Sequence, residues 1–476
     1  MRRNTILKVV DDISIVVPDS LNLITTYVLR EQEDWFEDEI KFVRLLLKPQ
    51  HNAIDIGANY GLFATSMARV VGPQGRIWAF EPASSTAALL AESIDTNGFT
   101  QITLDQRAIS EKAGTAQLSL NDNSELNELV RDGSAAGATE TVTLTTLDDA
   151  MVQYEWDDIA FVKIDAEGEE AAILRGGQCF FQTLSPLVQY EVKAGNNVHL
   201  ELVKHFQDIG YSSYRLIPGL NVLLPFDFAE EVDPYLLNLF CCKPDRAGFI
   251  AAAGRLVQTD NAGEESIAMR SNRLLDRWNA DSSHSWENVL ARLPYGKQLA
   301  SSWRQTVERK QSSDIEKALA LHAISHNIRL PLPDRVHALR TSLELLTSAC
   351  VSQPGFLRSA SLARVAREYG TRMSAVKALN ELVNQAMMHR RLDVAEPFLP
   401  AHEYYDSVDP GESIGNWAIC SALEGLERNG SFSSFYTGGS ARQRLEIIRD
   451  LGFGSPEMAR RLKLVEQRFY GGALSE

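Results

Sequence analysis

Residues 53–61 read Ala-Ile-Asp-Ile-Gly-Ala-Asn-Tyr-Gly, and the next apolar run closes at Glu81. Ala53 to Ile56 is a short apolar run suited to a buried strand. Gly57 and Gly61 bracket a tight loop where a ligand can approach the backbone. Residues 62–71 are apolar and helix-prone, and residues 76–80 rebuild a strand that ends at Glu81. Strand, glycine loop, helix, strand, acid is a nucleotide-binding βαβ unit, with the acid placed to grip a ribose.

The spacing narrows the nucleotide. A dinucleotide fingerprint, G-x-G-x-x-G, needs glycine at position 59, which is Asn59; the chain has Gly57-x-x-x-Gly61 instead. A pyrophosphate needs close backbone approach and a helix N-terminus free of acid. Asp55, two residues before the first glycine, would repel a diphosphate and suit a cationic amino group. S-adenosylmethionine has an ammonium, a sulfonium and a ribose, and no phosphate. The pattern therefore favours that cofactor over packing glycines in an ordinary βα turn.

Later segments extend the pattern. Thr146-Leu147-Asp148 precedes an apolar strand at 159–164, which runs into Lys163-Ile164-Asp165-Ala166-Glu167-Gly168-Glu169; residues 186–191 form another strand ending in Glu191. With Asp55 to Gly61 and Phe80-Glu81-Pro82, these five ordered motifs resemble the FkbM family of S-adenosylmethionine-dependent methyltransferases over roughly residues 50–215. The resemblance implies an α/β, Rossmann-like methyltransferase fold with a central, mostly parallel sheet, and O-methylation of a hydroxyl on a glycan, sugar or polyketide-like small molecule. It implies that Asp55, Gly57, Ala58, Asn59 and Gly61 line the methionine end, that Glu81 binds the ribose, and that Gln106, Ala108 and Ile109 lie near the adenine. Asp165 and Glu167 would stand at the mouth beside the transferable methyl.

An alcohol is a weak acid, so a base or a metal must assist its attack. Asp165 and Glu167 follow a strand's C-terminal end, where α/β sheets place ligands. One could act as base, or the two could share a divalent ion such as Mg²⁺. Glu191, ending the next strand, could join them as a catalytic group. The competing assignment makes Glu167 and Glu169 helix N-terminal acids. Lys163 is expected to pair with a carboxylate.

Charge is divided unevenly. Residues 1–250 carry 19 Lys+Arg against 37 Asp+Glu, a net of −18; residues 251–476 carry 28 against 26, a net of +2, and the two sum to −16. An acidic catalytic half is a poor platform for nucleic acid. The five cysteines contain no C-x-x-C, which fits neither a zinc ribbon nor a disulfide framework and suits a reducing compartment. No run reaches the length of a membrane span, and Asp11 and Asp12 interrupt any leader-like segment. A cytoplasmic location is the default expectation.

Three regions are expected. Residues 1–49 supply a strand at 13–17 and a helix at 33–47 that packs on the catalytic domain and lies over the cofactor entrance. Residues 50–250 form the methyltransferase domain. Within it, 116–120 and 141–144 read as a small added hairpin. The polar stretch 121–139 between them is a substrate-side loop or disorder, and 214–217 with 221–224 form a hairpin that could close the sheet. Residues 260–476 form an α-helical bundle or irregular solenoid, with helical periodicity at 264–279, 285–293, 296–310, 314–326, 334–351, 357–369, 372–392, 414–428, 441–451 and 456–469. Gly370, Gly430 and Gly452 stand where helix C-caps belong. This half is open to a protein partner or to self-association. His322 and His326 at i, i+4 are a possible metal pair, but no acidic or cysteine partner sits nearby in sequence.

Two other functions compete with a methyltransferase. One is a nicotinamide-dependent oxidoreductase, which Asn59 and Asp55 disfavour. The other is a non-catalytic scaffold on a vestigial fold, which the intact motifs disfavour.

Overall fold

The computed structural model describes residues 3–130, 137–194, 197–198, 200–227, 232–258, 273–274, 276, 282–309, 313–352, 355, 357–389 and 392–471. The chain divides into two compact units, Met1–Leu216 with Val222–Leu256, and Ile217–Asn221 with Val257–Glu476.

The first unit opens with an antiparallel hairpin, β1 (Asn4–Val9) and β2 (Ile13–Pro18), then helices α1 (Ile24–Gln32) and α2 (Asp38–Leu46). The helix expected at 33–47 is thus shorter. Glu33 takes a left-handed conformation as the C-cap of α1, so residues 33–37 are a connection that carries Trp35 and Glu37. The nucleotide unit forms as the sequence implies: β3 (Asn52–Ile56), α3 (Leu62–Val71) and β4 (Arg76–Phe80). After α4 (Ser84–Asn97) comes β5 (Ile102–Asp105).

The expected hairpin is larger than its apolar alternation suggested. β7 (Gly114–Leu120) pairs antiparallel with β9 (Ala138–Thr145), and β6 (Ala108–Ile109) and β8 (Glu128–Leu129) extend the pair to four strands in the order β6-β9-β7-β8. Of the expected loop at 121–139, residues 131–136 lie outside the described residues. The chain continues through α5 (Leu147–Gln153), β10 (Phe161–Ile164), α6 (Glu170–Arg175), α7 (Gln178–Thr183) and β11 (Leu187–Glu191). A two-residue bridge, β12 (Lys193–Ala194) with β13 (Asn197–Val198), leads to α8 (Glu201–Asp208), β14 (Ser212–Ile217), β15 (Val222–Pro225), β16 (Asn238–Cys242) and α9 (Pro244–Ala252).

The central sheet has eight strands in the order β15-β14-β16-β11-β10-β3-β4-β5. The five from β11 to β5 run parallel, and β16 is antiparallel to both β11 and β14. The sheet is a Rossmann-like methyltransferase fold, mostly parallel at its centre and covered by helices. The hairpin β14–β15 forms its outer edge. Strand residues alternate between two apolar layers: Ala53, Ile77, Phe161 and Leu187 face one, Ile54, Trp78, Val162 and Val188 the other. Burial on both faces explains why these strands are continuous apolar runs. Each Ile, Leu, Val or Phe among them contributes about 1.5–3 kcal/mol on removal from water. The chain steps outward from β3 through β4 to β5 on one side, and from β10 to β11 on the other. The C-terminal ends of β3 and β10 therefore flank the topological switch point, where open α/β sheets bind ligands.

The second unit is helical. Its longer helices are Pro294–Glu308, Ser313–Ser325, Leu332–Ser352, Arg358–Tyr369, Arg372–His389, Ile414–Gly430, Arg442–Leu451 and Pro456–Tyr470. These follow the periodicity read from the sequence; the helix expected at 264–279 lies largely outside the described residues. Gly370 and Gly452 are left-handed C-caps, but Gly430 is the last helical residue and Ser431 the cap. Tyr295, Trp303, Phe398 and Trp417 pack ring against ring in this unit's core. Among the described residues, no helix is long and apolar enough to cross a membrane.

Candidate functional site

The turn after β3 is shaped by three residues with positive φ: Gly57 at 76°, Asn59 at 49° and Gly61 at 88°. The amides of Gly57 and Ala58 donate to the Phe80 carbonyl at 3.1 and 3.0 Å. A Cβ on Gly57 would lie 1.8 Å from the Asp165 carbonyl oxygen. The glycine is thus demanded by the close approach of the chain leaving β10, rather than by space for a ligand. Glu81, at the end of β4, reaches back to the same turn. Its Oε2 accepts from the Asn59 amide at 2.9 Å and its Oε1 from the Ala83 amide at 3.0 Å. Burial pushes the Glu81 carboxyl up to about 7, although both amides favour its charge.

Asp55 and Lys163 are register partners on β3 and β10, so their side chains leave the sheet on the same face. Asp55 is fully buried, and neither of its carboxylate oxygens makes a hydrogen bond of normal geometry, although the Ala64 amide and Lys163 lie near enough to favour its charge. Burial raises its pKa, against the pull of Lys163. The Lys163 ammonium lies 3.7 Å from Asp55 Oδ1, beyond hydrogen-bonding distance, and 3.0 Å from Asp165 Oδ2. Burial works against the lysine's charge, but Asp165 and Asp55 more than offset it and hold its pKa above the ordinary value. The ammonium also sits over the Phe63 ring, 5.0 Å from its centroid. Lys163 thus pairs with the site's own carboxylates.

Asp165 lies at the mouth, 38% exposed. Ligand oxygens of Asp165, Glu167 and Glu191 all come within 4.8 Å of one another. Burial, then the nearby Asp165, pushes Glu167 up to about 8 and Glu191 up to about 9. Glu167 has φ of 47° and is not a helix N-terminal acid, since α6 begins at Glu170. Glu169 is its N-cap position and accepts from the Ser110 hydroxyl at 3.0 Å.

Asp55, Gly57, Ala58, Asn59, Glu81 and Asp165 line one open cavity at the switch point, with an empty volume of about 1050 Å³ counting its mouth. That is the scale of a small-molecule cofactor site. Its walls carry six carboxylates (Asp55, Glu81, Glu125, Asp165, Glu167, Glu169) against two cationic side chains (Arg107, Lys163), so it favours a cationic ligand. Residues 55–213 match the methyltransferase FkbM domain.

This region is similar to the FkbM methyltransferase domain.

The match spans about a third of the chain, and the family it is similar to is one of methyltransferases. No curated protein matches the chain. Among solved structures, an FkbM methyltransferase from Methylobacillus flagellatus is 18% identical, with a TM-score of 0.29; the alignment covers 41% of this chain and 44% of that one. An S-adenosylmethionine-dependent O-methyltransferase from Thermotoga maritima is 15% identical, TM-score 0.26, covering 50% and 77%. An rRNA methylase from Streptococcus thermophilus is 8% identical, TM-score 0.26, covering 43% and 93%.

Ala108 and Ile109 also line the cavity of the FkbM domain. Gln106 does not: it is exposed, and the next residue, Arg107, turns inward. Gly61 is not a wall residue either. It starts α3, and a Cβ there would meet the Leu90 side chain at 2.2 Å. Asp148 of the Thr-Leu-Asp motif caps α7, accepting from the Phe180 amide at 2.8 Å.

Several residues at or near the cavity were not assigned to the site from sequence, Thr25, Trp35, Glu37 and Glu125 among them. Trp35 and Thr25 reach the cavity from the N-terminal segment. Glu37 is held by Trp35 Nε1 at 3.1 Å and Asn238 Nδ2 at 3.0 Å; burial and then Asp165 push it up to about 7. Glu125 accepts from the Thr25 amide at 3.1 Å and from the Thr25 hydroxyl, while its buried Oε2 has no partner. Burial pushes this carboxyl up to about 7. Trp35 lay in a stretch already read as apolar; Glu125 sat in a polar segment with no local signal.

Proposed function

We propose that the FkbM domain transfers a methyl group from S-adenosylmethionine to a hydroxyl of a glycan, sugar or polyketide-like small molecule. The observation that carries this reading is Asp55. Its buried carboxylate has two unpartnered oxygens in a cavity wall, and an ammonium supplies the missing donors and charge together. Glu81 has acceptor capacity beyond its two amide bonds and would take the ribose hydroxyls. Bound there, S-adenosylmethionine supplies an electrophilic methyl on a sulfonium that leaves readily.

The chain's own part is to align the acceptor and hold its proton. Asp165 is the candidate for that proton, because its carboxylate is 38% exposed and Lys163 stands 3.0 Å away to orient it. Glu167 and Glu191, pushed up to about 8 and 9, hold protons near neutral pH and would serve the acceptor as hydrogen-bond donors until a cation enters. Asp165, Glu167 and Glu191 would equally hold Mg²⁺, which would lower the acceptor's pKa. The acidic balance of the first half supports a small acceptor over nucleic acid. A nicotinamide cofactor would bring a diphosphate towards Asp55.

Calorimetric titration of the purified chain with S-adenosylhomocysteine and, separately, NAD is the direct test. Binding of the former alone is expected; NAD binding without it would overturn the proposal.

A further inference from the structure

We propose that His322, His326 and Glu368 of the helical unit bind one divalent transition-metal ion of the zinc type. The two histidines are four residues apart and Glu368 lies more than forty further on, yet a ligand atom of each lies within 4.8 Å of the others. His322 is in the last turn of helix Ser313–Ser325, His326 directly follows that helix, and Glu368 is on Arg358–Tyr369. Both imidazoles aim Nε2 at the same carboxylate oxygen. Glu368 Oε2 is 2.8 Å from His322 Nε2 and 3.5 Å from His326 Nε2.

The protonation pattern is what calls for a cation. His326 Nδ1 has two neighbours, the His322 carbonyl oxygen and the Ser325 hydroxyl, both at 3.0 Å. The serine hydroxyl directs its own proton to that carbonyl at 2.7 Å, so both neighbours act as acceptors. Nδ1 must therefore carry the hydrogen, and in the neutral ring Nε2 is a bare lone pair. It faces a carboxylate oxygen that also offers only lone pairs. Such a contact is repulsive unless a cation lies between them. One proton can bridge a single pair, whereas a metal ion uses all three lone pairs at once.

The surroundings match a metal centre in further respects. Ligating histidines typically donate their second ring N–H to a backbone carbonyl or carboxylate, as His326 does. Tetrahedral bonds of 2.0–2.1 Å put ligand atoms about 3.3 Å apart, between the two separations found. The other Glu368 oxygen, Oε1, accepts from Arg364 Nε at 2.6 Å, and Arg364 is itself tied to Asp406 at 3.1 Å. This fixes the carboxylate's orientation before any ion arrives. His326 is 40% exposed, so solvent reaches the fourth position. Two imidazole nitrogens with one carboxylate oxygen suit zinc and its neighbours rather than Mg²⁺ or Ca²⁺, which take oxygen ligands. The ion would staple two helices that are separated in the chain by Leu332–Ser352.

The full chain, stripped with chelator and dialysed, is titrated with Zn²⁺ by calorimetry alongside His326→Ala and Glu368→Gln. One ion per chain is expected. Affinity should fall about 100-fold or more in His326→Ala, since even the loss of an outer partner costs 10–100-fold. The melting temperature should rise with Zn²⁺ in the wild type and stay fixed in the variants. Co²⁺ should give the visible absorption of a tetrahedral centre in the wild type, a readout independent of how well either variant folds. Absence of stoichiometric Zn²⁺ uptake and of the Co²⁺ band would overturn the proposal and leave a proton as the bridging cation. Equal uptake by all three proteins would also overturn it.

Discussion

A carboxylate with zero exposure and no hydrogen bond of normal geometry, such as Asp55, is costly to keep in a folded chain. The neighbouring Lys163 relieves part of that cost, but it sits closer to Asp165. Asp55→Asn should therefore leave the ligand-free melting temperature unchanged or raise it, while weakening S-adenosylhomocysteine by about tenfold or more, the loss of a charge-assisted hydrogen bond. A fall in stability with unaltered affinity would make Asp55 structural. Asp165→Asn should act on the other axis. Turnover should fall by roughly two to four orders of magnitude with cofactor affinity nearly intact; near-normal turnover would shift attention to Glu191. If a metal assists, chelation of the wild type should mimic the substitution and Mg²⁺ should restore the activity. The rim acids give a pH signature. Glu37, Glu81 and Glu125 near 7, Glu167 near 8 and Glu191 near 9 all lie above the ordinary carboxylate value. The folded state thus holds protons that the unfolded chain has released. The associated stability is full below about pH 4.5 and is lost as pH rises to about 9. Ligand-free melting temperatures should show this as a downward slope above pH 7, flatter in Glu191→Gln. By the same linkage, S-adenosylmethionine should bind more tightly at pH 8 than at pH 6. A pH-independent affinity would mean that these carboxyls do not face the cofactor.

Element formation was largely written in local pattern, and the exceptions have a common cause. Strand β3, helix α3 and strand β4 follow from an apolar run, two glycines and a second apolar run, because burial on both faces leaves a local signature. Asp55 stood out as the one acid within its apolar run, and Glu81 as the acid that closes the next. The roles of Glu37 and Glu125 depend on contacts across long sequence separations, and no local period records those. Helix α1 shows this clearly. Its N-cap, Leu23, offers no side-chain oxygen; the Ile24 amide donates instead to Asn123 Oδ1 at 2.9 Å and the Thr25 amide to Glu125. The segment before β8 therefore caps a helix about a hundred residues earlier. Ser124, between the two capping residues, donates to Asn59 Oδ1 at 2.9 Å and so ties the cap to the turn after β3. Glu125→Ala should cost about 1 kcal/mol, as loss of a helix cap does, and hydrogen exchange at Ile24 and Thr25 should quicken. Because the cap and the turn are joined, cofactor affinity should fall in the same variant. Faster exchange with unchanged affinity would confine Glu125 to a structural task.

At the scale of the whole chain, composition and architecture change at nearly the same point. The first 250 residues carry a net of −18 and the strands; the rest carry +2 and helices. Each unit has its own apolar interior: two sheet-flanking layers in the first, and clusters such as Leu274, Leu321, Ile324 and Ala338 in the second. The first unit ends at Leu256, where a short bridge ties Leu256 to Leu223 of β15 and the Leu223 amide donates to Arg255 at 2.8 Å. A cut before that bridge would strip an edge strand of its partner and expose backbone groups. A cut beyond it removes nothing that the sheet uses. Limited proteolysis should therefore cleave after residue 256, within about ten residues of it, where Gly263 and the polar residues 259–261 interrupt the apolar pattern. The segment Ile217–Asn221 is the one part of the early chain grouped with the helical unit, so a 1–256 fragment should lose stability chiefly at that turn. The fragment should still bind S-adenosylhomocysteine with nearly full affinity, since every wall residue of the cavity lies between Thr25 and Glu169. A fragment that is soluble but cannot bind would assign the helical unit a part in forming the site. An insoluble one would mean that the two units share a single folding core.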